Sequence, residues 1–209
     1  MMPDQAQLIA SLAGETINEV ASDIIARLKH AQMTLSIAES LTGGNVIATL
    51  TAIPGASSVI RGGVITYATP LKHKLLGVDS DLIVEKGVVD PEVAIQMARG
   101  VRNRTTVHDV PTTWALSTTG VAGPEPQDDK CVGTVYISVA SATESDVMHC
   151  QFDPDGTHDE IRFKTTIAAL GFLRQQLIES GLRLPSETSP SNGHPLELSE
   201  PEIGLVVMG

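Results

Sequence analysis

The feature that most constrains the fold is a regular alternation between helical stripes and short strand-like runs. Between residues 16 and 31, apolar side chains recur at three- and four-residue spacings, which is the period of one helix face. A buried strand is predicted over 33–39 (MTLSIAE) and a helix over 45–53 (NVIATLTAI), so Ser40 lies on the turn between them. Such an alternation predicts an α/β fold, in which helices cover a sheet.

The same alternation continues along the chain. A β-branched run over 58–68 contains a Gly-Gly pair, which predicts an irregular strand, and a helical turn (PLKHKLLG) follows from Pro70. Asp90 and Pro91 have the residue types of a helix N-cap and of the first helical position. Further strands are predicted at WALSTTG, at VGTVYISVAS and near 146–152, and then a long helix with a stripe through Phe163, Ile167, Leu170, Leu173 and Leu177. With helices enough for both faces, we expect a three-layer α/β/α sandwich with a mixed sheet.

Length and composition predict one domain with flexible termini. A chain of 209 residues, 42% of them hydrophobic, is long enough for one core. Residues 1–14 are expected to form a flexible N-terminus and residues 15–181 the domain. The acidic segment 182–209 contains four prolines and no usable periodicity, which predicts a disordered tail.

Charge and cysteine content disfavour several classes of function. A formal charge of -11 would repel nucleic acid, although a single phosphate needs only one helix N-terminus and one or two cations. Cys131 and Cys150 are too isolated for a zinc site or a disulfide scaffold, and no histidine has a ligand at metal-binding spacing. No basic leader and no long apolar run are present, so we expect a cytoplasmic protein without membrane, metal or cofactor.

Three polar segments could carry chemistry. In AESLTGG (38–44), Ser40 precedes a helix, and Gly43 and Gly44 would let backbone N–H groups approach a phosphate or an oxyanion. The alternative is that Ser40 only caps the helix. In STTGVAGP (117–124), hydroxyls and N–H groups could hold a ribose or a phosphate, or the segment is only a turn.

The third segment, ITYATPLKHK, places Tyr67 and Lys72 on either side of a strand-to-helix turn. Lys72 could serve as a base if burial lowered its pKa from about 10.4 towards 7, at a cost of roughly 4 kcal/mol. Otherwise Lys72 is a solvated helix charge. Arg162 and Lys164, near the start of the last helix, could bind a phosphate or be solvated in the same way.

Three motifs in series, AES-x-TGG, RGGVITYATPLKHKLLGV and TTGVAGP-x(8)-VGTVYI, resemble the C-terminal domain family of competence/damage-inducible CinA proteins. The resemblance covers roughly residues 15–180. It implies a three-layer fold like that of anticodon-binding domains and self-association of the chain. It also implies hydrolysis of the carboxamide of nicotinamide mononucleotide, to nicotinate mononucleotide and ammonia, without metal or cofactor.

By the same resemblance, Ser40 is the nucleophile, Lys72 the general base and then the acid for departing ammonia, and Tyr67 an assistant in proton transfer. Further residues are expected to hold the substrate and the oxyanion, with Arg61 and Arg162 serving either the phosphate or loop support. These expected contacts are Glu39, Thr42, Gly43, Gly44, Arg61, Thr118, Thr119, Gly120, Gly123 and Arg162.

The chain departs from the family pattern at four positions. Leu41 replaces a common cysteine, Asp90 a frequent serine and Cys131 a usual proline. His158 stands where an arginine is expected, so phosphate affinity could be weaker or pH-dependent. Two alternatives to the mononucleotide amidase therefore stay open: a nucleotide-binding protein without catalysis, and an amidase for another carboxamide or one that lacks the phosphate.

Overall fold

Five strands form one mixed sheet in the computed structural model, which describes residues 5–187. The strands are β1 (Leu35–Glu39), β2 (Ile60–Ile65), β3 (Trp114–Gly120), β4 (Thr134–Ala140) and β5 (Ser145–Gln151). Their order across the sheet is β2-β1-β3-β4-β5, with β1 parallel to both of its neighbours and β4 antiparallel to both β3 and β5. The predicted mixed sheet is confirmed.

Helices cover both faces of the sheet, so the predicted three-layer arrangement is confirmed as well. The helices are α1 (Gln5–Ser11), α2 (Ile17–His30), α3 (Asn45–Thr51), α4 (Thr69–Leu76), α5 (Ser80–Lys86), α6 (Pro91–Arg104) and α7 (His158–Glu179). Helices α1, α2, α3 and α7 pack together on one face, and α6 lies on the other face with α4 beside it. The side chains of β1 alternate accordingly, because Leu35 and Ile37 face the first layer and Ala38 faces the second.

Local sequence explains where these elements begin. Thr16 and Thr157 each form a capping box with the glutamate three residues later, at the starts of α2 and α7. Asp90 accepts a hydrogen bond from the N–H of Glu92 and so caps α6, as predicted. The irregularity expected in β2 is a register shift, which leaves Arg61 unpaired between two residues that pair with β1.

Both ends of the described chain are more ordered than the sequence predicted. Where a flexible N-terminus was expected, α1 forms, and Leu8 and Leu12 are buried in the core shared with α7. At the other end, residues 182–187 pack on α2, because Leu182 contacts the core and Glu187 pairs with Arg27. The rest of the predicted tail, 188–209, lies outside the described residues.

The stripe predicted for α7 was wrong at its first member. Phe163 is 53% exposed, whereas Ile161, Leu170, Leu173 and Leu177 are buried. Phe172, two alanines, two threonines and a glycine fill the remaining buried positions of α7, so the buried side is wider than one apolar stripe. Within residues 5–187, no helix is both long enough and apolar enough to cross a membrane.

Candidate active site

Ser40 and Lys72 are in direct contact at the carboxyl end of β1. Ser40 is the first residue after β1, and Lys72 lies inside α4, which follows the neighbouring strand β2. The Nζ atom of Lys72 donates to Ser40 Oγ at 2.9 Å and to the backbone oxygen of Thr66 at 2.8 Å. The Lys72 side chain is fully buried and Ser40 is 8% exposed, so this is not the solvated helix charge that the sequence left open.

The environment of Lys72 favours the neutral amine. Burial lowers the pKa of Lys72 to about 8, and the negative charge of Asp128 opposes part of this effect. With such a pKa, about a tenth of the amine is neutral at pH 7. A neutral amine at hydrogen-bond distance from Ser40 Oγ can accept the hydroxyl proton, which is the arrangement of an activated nucleophile.

The turn that carries Ser40 is held by a buried carboxylate. Glu39 is 1% exposed, and its two oxygens accept the N–H groups of Gly44, Val46 and Ile47 at 2.9, 3.2 and 2.9 Å. Glu39 therefore caps α3 and does not take the substrate-binding position that was expected for it. The start of α3 is also not open to a phosphate or an oxyanion, because the carboxylate already occupies it.

Arg162 supports the same turn from α7. Its guanidinium donates to the backbone oxygens of Leu41 and Thr42 at 3.0 and 3.1 Å. Gly43 has φ +58, and a Cβ there would lie 3.1 Å from the Arg162 guanidinium. Of the two roles considered for Arg162, the structure therefore places it in loop support. Gly43 and Gly44 serve the shape of the turn, and the N–H of each is already hydrogen-bonded inside the protein.

The three threonines that were expected to bind the substrate are hydrogen-bonded inside the protein, close to Ser40 and Lys72. Thr42 Oγ1 and Thr118 Oγ1 are 2.8 Å apart, and the backbone oxygen of Thr118 accepts the Ser40 N–H at 3.0 Å. Thr119 Oγ1 donates to the Val88 backbone oxygen at 2.7 Å. All three threonines are fully buried. Their hydroxyls are thus committed to internal bonds, and only the Thr118 backbone oxygen contacts Ser40, so a part of these residues in substrate binding stays a prediction.

A pocket of about 120 Å³ opens onto Ser40 and Lys72. Of the expected residues, Gly120, Gly123 and Tyr67 line it together with Ser40 and Lys72. Tyr67 is 61% exposed and makes no hydrogen bond to Ser40 or Lys72, so its part in proton transfer stays a prediction. The remaining lining residues are Leu41, Val88, Val121, Ala122, Glu125, Gln127 and His158.

Sequence reasoning missed Val88, Glu125 and Gln127 as residues of this pocket. They lie in connecting segments without periodicity, and only their nearness to the TGVAGP motif could have pointed to the latter two. The larger cavity of the described chain, about 470 Å³, lies between α1, α2 and α7 and contains neither Ser40 nor Lys72. Its arginines, Arg27 and Arg174, are paired with Glu187 and Glu15.

Arg61 lies near the amino ends of β1 and β2, away from Ser40. In β2 it lies beside the Leu35–Ser36 step of β1, four residues before Ser40, and parallel strands advance in the same direction. At 3.3 Å per residue this separation is about 13 Å. Arg61 does not line the pocket, so the described geometry gives no support to its predicted substrate-binding role, which stays a prediction.

The structure locates the departures from the family pattern at positions 41, 158 and 131. Leu41 is 4% exposed and belongs to the main core, so its side chain packs as a cysteine there would. His158, the first residue of α7, lines the pocket. Cys131 is exposed, and nothing in the structure explains its replacement of proline. Among residues 5–187, no group of three or more His, Cys, Asp or Glu side chains could hold a metal ion.

Comparison with known proteins gives a consistent result. The CinA C-terminal domain model matches residues 17–177. A CinA-like protein of Frankia casuarinae is 37% identical over 186 residues, which cover 89% of this chain and 41% of that protein. A CinA-like protein of Cyanothece sp. is 43% identical over 162 residues, covering 77% of this chain and 38% of that protein. The chain thus spans about two fifths of the length of these relatives.

A solved structure agrees in fold. The competence/damage inducible protein CihA from Agrobacterium tumefaciens is 29% identical, with a TM-score of 0.71 over 85% of this chain and 98% of that one. Family model, relatives and fold therefore point the same way, and the chain belongs to the CinA C-terminal domain family.

Proposed function

We propose that this chain is an amidase that hydrolyses the carboxamide of nicotinamide mononucleotide, with Ser40 as nucleophile and Lys72 as base. The observation that carries the proposal is the 2.9 Å contact between Lys72 Nζ and Ser40 Oγ in a buried site. A lysine whose pKa is lowered to about 8 by burial can take a proton that an ordinary lysine would not. The choice of substrate rests on the family resemblance.

The reaction proceeds in two halves. Ser40 Oγ attacks the amide carbon while its proton moves to the neutral Lys72 amine, and the carbonyl oxygen becomes an oxyanion. The C–N bond then breaks, and the Lys72 ammonium protonates the leaving ammonia. Water attacks the resulting ester while Lys72 takes one of its protons, and the ester C–O bond then breaks as Lys72 returns that proton to Ser40 Oγ, which releases the acid. The sum is carboxamide plus water giving carboxylate plus ammonium.

The oxyanion needs hydrogen-bond donors close to Ser40. Since Glu39 occupies the N-terminus of α3, we consider the N–H of Leu41, the residue directly after the nucleophile, as the donor. In the described chain this N–H makes no hydrogen bond, and Leu41 lines the pocket. We assign the oxyanion to this group.

Ammonia release from nicotinamide mononucleotide, measured without added metal, tests the proposal. Ser40→Ala and Lys72→Met are each expected to lower the rate by at least about 10³-fold. Lys74→Met is the matched control, because Lys74 is exposed on the same helix. The rate should rise with pH, with a midpoint near the Lys72 pKa of about 8. Full turnover by Ser40→Ala would exclude this mechanism.

A second candidate is an amidase whose substrate lacks the phosphate. The observation in its favour is that neither expected arginine faces the pocket: Arg61 is at the other end of the strand, and Arg162 binds loop carbonyls. His158 is then the remaining basic side chain at the pocket besides Lys72. A histidine carries full charge only in mildly acidic solution, so it is a weaker phosphate ligand than arginine.

Comparing the mononucleotide with its riboside separates these candidates. A used phosphate contact should favour the mononucleotide by about 2 kcal/mol or more, which is roughly 30-fold in kcat/KM. Equal rates support the phosphate-free substrate. Arg162→Met should lower the rates with both compounds by the same factor, because its contacts are to the Ser40 turn. Binding of the mononucleotide without ammonia release would instead support the nucleotide-binding alternative.

A further inference from the structure

The loop from 121 to 131, between β3 and β4, forms one wall of the pocket and ends in a tight hairpin. Gln127 and Lys130 exchange two backbone hydrogen bonds, at 3.2 and 2.8 Å, across a two-residue turn. The turn residues, Asp128 and Asp129, both have positive φ, 50° and 57°. This is the backbone pattern of a turn that favours Asp, Asn and Gly. The hairpin therefore holds the Asp128 side chain in a defined direction.

The Asp128 side chain reaches across to the connection between α5 and α6. Its Oδ2 accepts the N–H of Val88 at 2.7 Å. The residue before Val88, Gly87, must be a glycine, because a Cβ at this position would lie 2.4 Å from the Asp128 side chain. The backbone oxygen of Val88 in turn accepts the Thr119 hydroxyl at 2.7 Å. Val88, which lines the pocket, is thus fastened to the loop on one side and to β3 on the other.

We propose that Asp128 is a positioning residue of this site, which fastens the loop 121–131 to Val88 and so fixes the pocket wall that faces Ser40 and Lys72. Glu125 and Gln127 belong to this loop and line the pocket, so their positions depend on the same fastening. The proposal deepens the proposed amidase function and rests on it for its kinetic part. The fastening itself is independent of the reaction.

The carboxylate has a second effect, which is electrostatic. Asp128 raises the pKa of Lys72 against the lowering caused by burial. The other ionisable groups that line the pocket are Tyr67, Glu125 and His158. Release of the loop would take the Asp128 charge away from Lys72. Closure of the wall and the charge of the base are therefore coupled through one side chain.

Hydrogen exchange at the Val88 amide tests the fastening without any substrate. Asp128→Ala removes the acceptor and should speed exchange at least about tenfold. Asp128→Asn retains an oxygen at the same place, so exchange should stay near the unsubstituted rate. Asp129→Asn is the matched control, since Asp129 makes no hydrogen bond or ion pair within residues 5–187. Unchanged protection of Val88 in Asp128→Ala would overturn the fastening.

The electrostatic half is tested by titrating Lys72 through the NMR signal of its ε-carbon. Asp128→Asn should move the midpoint to lower pH, because a negative charge that favours the ammonium is lost, whereas Asp129→Asn should shift it less. An identical midpoint in the two asparagine variants would overturn this half. Neither this measurement nor amide exchange needs turnover, so failure of the amidase proposal remains distinguishable.

Steady-state kinetics tests the positioning role. Asp128→Ala should raise KM about tenfold with a smaller change in kcat, because the wall that holds the substrate is loosened. Asp128→Asn should keep a KM near that of the unsubstituted protein. Gly87→Ala, which pushes the carboxylate away, should reproduce the effect of Asp128→Ala and not add to it. Loss of Val88 protection with an unchanged KM would overturn the positioning role.

Discussion

At the scale of single residues, Lys72 is a charged side chain whose burial destabilises the fold. It is fully buried, its hydrogen-bond partners are a hydroxyl and a carbonyl, and no carboxylate contacts it directly. The ammonium form therefore loses hydration without gaining a close opposite charge. A site that needs a neutral amine near pH 7 benefits from this arrangement. Burial of the ammonium form should, however, lower the free energy of unfolding.

Lys72→Met should be more stable than the unsubstituted protein at pH 7. The Lys72 pKa is about 8 in the fold against 10.5 unperturbed, so between these values the unfolded chain binds more protons and stability of the parent rises with pH. Over this pH range the free energy of unfolding of the parent rises by about 3 kcal/mol, whereas that of the methionine variant does not. The stability difference should therefore shrink as pH rises from 8 to 10.5. Denaturant unfolding across this window measures it.

The control is Lys74→Met, whose difference from the parent should stay small and flat over the same pH range, because Lys74 is exposed. The two hydrogen bonds that Lys72 makes are lost in the variant, at about 1 kcal/mol each, so the gain at pH 7 is partly offset. A difference that does not change between pH 8 and 10.5 would contradict the burial argument.

At the scale of elements, the turn between β1 and α3 illustrates what sequence could and could not predict. The two periods, alternating and helical, predicted both elements and placed Ser40 between them. The N-cap position of α3 is Gly44, which has no side chain to cap the helix. The cap comes instead from Glu39, five residues earlier and inside the strand. Such a cap depends on the angle of the turn, and no spacing rule predicts it.

Glu39→Gln tests the importance of this cap. Glutamine has nearly the same shape, but only one oxygen remains to accept the N–H groups of Gly44, Val46 and Ile47, and the negative charge at the helix N-terminus is lost. Unfolding free energy should fall by about 2 kcal/mol. The rate should fall with it, because Ser40 is on the same turn. Thermal and denaturant unfolding beside Glu144→Gln, an exposed glutamate, give the comparison; equal stability of the two variants would contradict the capping role.

Short elements and strand register escaped prediction for a related reason. Helices α1 and α5 have seven residues each, which is too short to display a full apolar stripe, whereas α3, of the same length, was predicted from the glycines before it and the Pro-Gly pair after it. Arg61 belongs to one of the three family motifs, but the parallel pairing of β2 with β1 places it at the end of the strands away from Ser40. Motif membership indicates that a residue belongs to the fold of the site, whereas register decides whether it reaches the substrate.

At the scale of the whole molecule, the pocket is assembled from segments that are far apart in sequence. The pocket residues Ser40, Lys72, Val88, Gly123 and His158 come from five different helices or connections. The sequence predicted the three layers because each layer follows from a repeated local period. It could not predict which loop closes on which, since that depends on contacts such as the one between Asp128 and Val88.

The attachment of residues 182–187 to α2 is another such contact, and it should be sensitive to acid. Arg27 is 4% exposed and donates to both oxygens of Glu187 and to the backbone oxygen of Leu182. The Arg27 guanidinium lowers the pKa of Glu187 to about 2 from 4.5. The carboxylate therefore stabilises the fold fully above pH 4.5, and this contribution is lost as pH falls through about 2.

Glu187→Gln should accordingly lower the melting temperature at pH 7, because the buried Arg27 guanidinium loses one of its two carboxylate partners and keeps only Asp23. The difference from the parent should shrink as pH falls below 4.5, because the unfolded parent then binds a proton at Glu187 that the folded parent binds only near pH 2. Calorimetric melts between pH 7 and pH 3 measure this, with exposed Glu144 replaced by glutamine to correct for a general loss of negative charge. If the pair holds the chain end in place, amide exchange near Leu182 should quicken in Glu187→Gln alone. Equal melting temperatures of the parent and Glu187→Gln at pH 7 would show that residues 182–187 add nothing to the stability of the core.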